Sequence, residues 1–182
     1  ADRRIVSVVG PDLRIVRELK LSHPPTLIRP DGTFIVARQI PTAERLGYPV
    51  HLLSATGELI RSFGTETPQY HKDPRGEATR TIGPAPDGTI WTASPVRYVL
   101  ERWDPETGRM LERVTPAGSL FRESTLPTRD PREERPSPLL EYLWTGPSGG
   151  VWVLLRDADA NWVQVVEKAV HGPTAPDDFE IV

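Results

Sequence analysis

The chain has 182 residues, a formal net charge of −3 and no cysteine, which excludes disulfides and thiolate metal sites and leaves no basic footprint for a nucleic-acid partner. Its 20 prolines and 14 glycines, beside 37% hydrophobic residues, fit a packed, turn-rich domain and argue against long helices. No apolar stretch approaches the length of a membrane span.

Short apolar runs bounded by turn residues read as strands. Ile5 to Val9 and Arg14 to Leu21, joined at Gly10-Pro11-Asp12, form a first pair. A four-strand order, A to D, then begins. A is Thr26 to Arg29, the turn is Pro30-Asp31-Gly32, B is Thr33 to Arg38, C is Val50 to Ser54 and D is Glu58 to Phe63. The order returns with A near Thr79 to Gly83, B at Thr89 to Ala93, C at Tyr98 to Trp103 and D at Arg109 to Val114. A third round starts with Leu140 to Thr145 and Val151 to Arg156, followed by a strand at Trp162 to Val166. The leading pair matches a C-D half whose A-B half is missing.

The strongest evidence for a repeat is the string Pro30-Asp31-Gly32-Thr33-Phe34-Ile35-Val36. It recurs as Pro86-Asp87-Gly88-Thr89-Ile90-Trp91-Thr92 and, more loosely, as Pro147-Ser148-Gly149-Gly150-Val151-Trp152-Val153. Equivalent points lie 44 residues apart from Ile15 to Leu59 and 51 apart from Leu59 to Met110, the spacing of a four-stranded propeller blade. The B runs Phe34-Ile35-Val36 and Val151 to Leu155 are continuously apolar, as expected when both faces of a sheet are covered. The predicted fold is all-β: a partial β-propeller, an arc of four-stranded antiparallel blades in one domain. Its pieces are 1–21, 26–63, 79–114 and 140–168, with 169–182 as a tail or the start of the next element.

Pro86 to Trp91 together with Glu101 to Arg109 resembles the bacterial six-bladed β-propeller family, within the superfamily of NHL-repeat and TolB-like propellers. The resemblance spans roughly residues 1–168, although Arg38 and Ser94 stand where NHL repeats often carry an acidic residue. It implies a periplasmic or secreted location and a ligand position in the axial channel. About three and a half blades cannot close a six-bladed ring. The preferred reading is therefore a section of a longer chain holding the remaining blades. The alternatives are a homodimer of two arcs or completion by a partner protein.

Strand order puts the Asp-Gly turns on one side and the connections Gln39 to Pro49, Thr65 to Ala78, Thr115 to Pro138 and Asp157 to Asn161 on the other. Long irregular insertions on one side mark a working face. Arg38, Arg97, Tyr98 and Arg156 follow B strands at equivalent places, and converging guanidinium groups suit an anionic ligand; ordinary solvated arginines are the plainer alternative. His71, beside Tyr70, Lys72 and Asp73, is the best general-base candidate in these loops, against a simple exposed histidine. Arg129 to Pro136 reads as a solvated charged segment.

Other motifs fail on context. Gly146-Pro147-Ser148-Gly149-Gly150 fits Gly-x-Ser-x-Gly but leads into a strand and has His171 before Asp177, so it is not a nucleophile elbow. Asp157, Asp159 and Asn161 have the spacing of a calcium-loop start, but Trp162 and Lys168 replace the required glycine and glutamate, and a hairpin turn is preferred. His23, His51, His71 and His171 form no zinc pattern. Trp91, Trp103, Trp144 and Trp152 are assigned to core packing. The chain thus reads as a non-catalytic scaffold, without cofactor, that binds a small ligand or a protein through its loop side. A lactonase-like or lyase-like enzyme with a channel metal is the alternative that the resemblance implies. The inner strands offer such a metal only Glu141.

Overall fold

Each strand pair is set by a turn whose side chains fold back on the backbone. At Pro30-Asp31-Gly32, Asp31 Oδ1 accepts from the Thr33 backbone N–H at 2.9 Å and from the Thr33 hydroxyl at 2.6 Å. At Pro86-Asp87-Gly88 the same oxygen accepts from Thr89 at 3.1 and 2.6 Å. Glycine is required at the end of each turn, where φ is +81° at Gly32, +84° at Gly88 and +82° at Gly149, because a Cβ there is sterically disfavoured. The third turn keeps the same backbone bonds, Gly146 N–H to Gly150 O at 2.8 Å and Gly149 N–H to Gly146 O at 3.0 Å. It lacks the carboxylate brace, since Ser148 and Gly150 replace Asp and Thr.

In a computed structural model, residues 4–21, 23–38, 47–65, 79–94, 98–117, 138–158, 161–164 and 179–181 are described. They form an all-β fold of four antiparallel sheets. β1 (Arg4–Val9) pairs with β2 (Ile15–Leu21). β3 (Leu27–Ile28), β4 (Phe34–Ala37), β5 (Val50–Leu53) and β6 (Leu59–Phe63) make the second sheet in that spatial order. β7 (Thr81–Pro84), β8 (Ile90–Ala93), β9 (Leu100–Asp104) and β10 (Arg109–Val114) make the third, and β11 (Leu139–Thr145), β12 (Val151–Ala158) and β13 (Phe179–Ile181) the fourth.

The sheets cover one another in chain order. On β4, Phe34 and Val36 pack with Leu19, Leu21 and Leu53, while Ile35 points the other way onto Val50, Leu52, Phe63, Ile90 and Trp103. A third cluster joins Trp91, Ala93, Tyr98 and Leu100 to Leu140, Leu143 and Leu155. β4, β5 and β8 are therefore buried at every position, which accounts for their unbroken apolar runs. The outermost strand β10 is exposed throughout.

Two readings change. Trp162 to Val166 was expected to be a strand, but 162–164 form a helical turn, and it is β13 that joins β12, at Arg156 to Ala158. Trp144 and Trp152 are not core residues: they stack on each other at 5.9 Å and are 44% and 58% exposed. They pair across β11 and β12 on the face turned away from the third sheet, and among the described residues no sheet covers that face.

Candidate functional site

The short turns share one side of the stack. Arg29, before the first Asp-Gly turn, pairs with Glu106 of the β9–β10 turn at 2.5 Å, and Arg61 Nε donates to the Glu106 carbonyl at 3.1 Å. The opposite side carries the strand ends that lead into the long connections. There Thr65 Oγ1 donates to Glu101 Oε1 at 2.6 Å and Thr81 Oγ1 to Leu140 O at 3.1 Å.

Three of the residues proposed for a ligand, Arg38, Tyr98 and Arg156, fall among the described ones. Arg38 follows β4 and is exposed. Its carbonyl is 3.0 Å from Nε2 of the fully buried His51, whose Nδ1 lies 2.8 Å from Ser62 Oγ. A carbonyl only accepts, so His51 donates from Nε2. Tyr98 is 2% exposed, inside the core cluster, with φ +49° and its hydroxyl donating to Pro138 O. Its ring fills the joint between the third and fourth sheets rather than projecting as a solvent-facing contact residue. Arg156 Nε lies 3.0 Å from Glu141 Oε1, so the one carboxylate expected on an inner strand is held by an arginine.

Asp157 caps the next residue, accepting from the Ala158 N–H at 2.8 Å, and the Asn161 carbonyl accepts from the Gln164 N–H at 2.9 Å. His71, Arg97 and Asp159 lie outside the described residues. Among the described residues no group of three metal-ligating side chains occurs, and no helix is long and apolar enough to cross a membrane.

Sequence reasoning passed over Glu101. It is 5% exposed, bonded to Thr65 and 3.8 Å from Arg113. It occupies the position of His51: each stands opposite the third residue of its B strand, Thr92 and Val36. That register was legible as a charged residue inside the run Tyr98 to Trp103.

On the turn side a groove of about 530 Å³ opens between the third and fourth sheets. Trp91, Leu100, Val114 and Val151 give it an apolar floor, with Asp87, Arg102 and Glu112 beside them. Arg102 pairs with Asp87, donates from Nε to Thr89 Oγ1 at 3.0 Å and lies 3.9 Å from Glu112.

The Thr33 hydroxyl bond, above all, holds Asp31 below the ordinary value of 3.8, with the Thr33 N–H and Arg29 adding to it. The Thr89 hydroxyl does so for Asp87, with Arg102 adding, and the Thr107 hydroxyl for Asp104. Depressed folded values give a contribution that is present above the unfolded value and lost as pH falls through the folded ones. Melting temperature is therefore expected to fall as pH drops below about 4. The double variant Thr33→Val/Thr89→Val should flatten that fall in thermal melts, and an unchanged profile would mean that the two bonds contribute nothing.

No protein-family model matches the chain, and no curated protein is similar to it. A solved structure of a protein of unknown function from Bacteroides caccae is similar at 14% identity with a TM-score of 0.44. The match covers 99% of this chain and 56% of that one, so the chain spans little more than half of its neighbour's length.

Proposed function

We propose that the chain is an arc of a β-propeller that serves as a non-catalytic binding scaffold and presents its ligand site on the side of the long connections. The observation that carries this reading is the stacking in chain order. Every full sheet buries opposite faces of its B strand against the sheets before and after it, the packing a propeller blade requires. Short braced turns hold one side rigid, while the variable connections leave from the other.

A small anion is the ligand class that Arg38 and Arg156 favour. Calorimetric titration of the chain with inorganic phosphate and with citrate tests it. The variant Arg38→Ala/Arg156→Ala should bind at least about fivefold more weakly, on the order of 1 kcal/mol. Absence of heat with either anion, or equal affinity in the variant, would remove the anion reading.

A further inference from the structure

We infer that two copies of this chain close on each other, the β1–β2 hairpin of one entering the inter-sheet groove of the other and completing its last sheet. The inference rests on the propeller reading and names a partner for it.

The hairpin is of the same kind as the outer halves of the two full sheets. In β1–β2 the register passes from Val9↔Ile15 to Val8↔Arg17. In β5–β6 it passes from Leu53↔Leu59 to Leu52↔Arg61, and in β9–β10 from Trp103↔Met110 to Arg102↔Glu112. The bulge follows the pair next to the turn in β1–β2 and β5–β6 and the second pair in β9–β10. Val9 therefore holds the position of Leu53 and Trp103, which are 5% and 7% exposed. Leu53 is buried against the preceding sheet's Leu19 and Leu21, and Trp103 against Phe63. Val9 is 52% exposed, and Ile5 and Ile15 on the same face are 55% and 59% exposed. Their face has the form of a buried joint with its other half missing among the described residues.

The missing half is at the other end of the chain. β13 pairs with β12 only at Arg156 to Ala158, so Val151 to Leu155 carry no strand on that edge among the described residues. The equivalent edges of β4 and β8 are paired by β5 and β9. Carrying the register Ile90↔Trp103 and Ala93↔Leu100 onto β12 sets Val9 of a second copy opposite Val151 and Ile5 opposite Leu155. Ile5 to Val9 would then follow on from β13 along that edge, with Arg4 turned away from Arg156, whose partner is Ile181. The outer face of β1 would cover the groove floor of Leu100 and Val114, as Trp103 covers Val50 and Phe63 in the joint already filled.

In the filled joint Arg61 Nε donates to the backbone carbonyl of Glu106 in the incoming turn. At the groove the counterpart of Arg61 is Glu112, 3.9 Å from Arg102, and the incoming turn carries Asp12 and Arg14, 3.7 Å apart. Beyond the joint, Tyr142 and Trp152, 63% and 58% exposed, would lie over the second copy's β3–β4, where Ile28 is 54% exposed. A twofold axis makes both joints identical, so association stops at two copies. The pair then holds six sheets: four of four strands within the chains, and two across the joints in which β1 and β2 of one copy join β11, β12 and β13 of the other.

Because the chain has no cysteine, the register can be trapped directly. Val8→Cys/Trp152→Cys should give a covalent dimer on oxidation, whereas Ser7→Cys/Trp152→Cys, one residue out of register and on the opposite face, should not. Light scattering of the unmodified chain should give twice the 20.3 kDa chain mass. A folded 20.3 kDa monomer at every concentration, an open ladder of oligomers, or equal cross-linking by the two cysteine pairs would overturn the pairing. Amide exchange separates this from failure of the arc. Protected β4 and β8 amides in a monomer leave the arc standing and overturn only the pairing, whereas unprotected ones overturn the arc itself.

Discussion

Replacing Gly83 by valine is expected to cost about 3 kcal/mol of folding stability, read as a lower urea midpoint at unchanged slope. A Cβ on Gly83 would stand 2.5 Å from the Leu143 carbonyl oxygen, 2.7 Å from its carbon and 2.8 Å from its Cβ. Two of those atoms are backbone, so no side-chain rotation relieves the clash. β7 and β11 must separate, and the cluster of Trp91, Leu100, Leu140 and Leu143 loosens with them. Gly88 is the control, because nothing lies within 4 Å of its would-be Cβ but its φ is +84°. Gly88→Ala should cost about 1–2 kcal/mol of conformational strain, and Gly88→Asn less, since asparagine tolerates that region. If Gly83→Ala is neutral, the close approach of the third and fourth sheets is wrong.

The second large effect compares two tryptophans at the same place in the repeat. Trp91→Ala should destabilise by about 3–5 kcal/mol, because the ring is 7% exposed between two sheets and its removal leaves a cavity. Trp152→Ala should change the stability of the dilute, unassociated chain by about 0.5 kcal/mol or less, since it is 58% exposed. Equal costs in urea denaturation would mean that the outer face of the last sheet is buried within a single chain. In the proposed pairing of two copies, Trp152→Ala should also weaken their association.

Much of the sheet structure was legible in the residues. Asp31-Gly32-Thr33 and Asp87-Gly88-Thr89 announce their turns because the carboxylate, the positive φ and the hydroxyl act within four residues of chain. Arg109 to Val114 was bounded correctly, its turn being braced by Asp104, which accepts from the Thr107 hydroxyl at 2.6 Å. β9 begins at Leu100 rather than Tyr98 because Tyr98 takes a φ of +49° to seat its ring in the core, and that requirement comes from the next sheet. The apolar residues at 162–166 read as a strand, yet the partner that decides the matter, β13, lies far along the chain at Phe179. Of the candidate site, the place of Arg38 after its B strand was readable from the repeat, whereas Arg156, expected to follow its B strand, lies inside β12, paired with Leu139 and Ile181. The Glu141 partner of Arg156 and the burial of Glu101 were not readable, because each depends on which element packs alongside.

Local chemistry in the chain by itself determined the turns, the strand order within the first three sheets and the all-β class, because those depend on contacts between near neighbours. Only the tertiary structure decided which repeat positions are core and which are surface. Trp91 and Trp152 follow equivalent turns, and one is hidden while the other is open, because another sheet lies against the first and, among the described residues, none lies against the second. Burial belongs to the pair of surfaces that meet, and one repeat unit specifies only its own half.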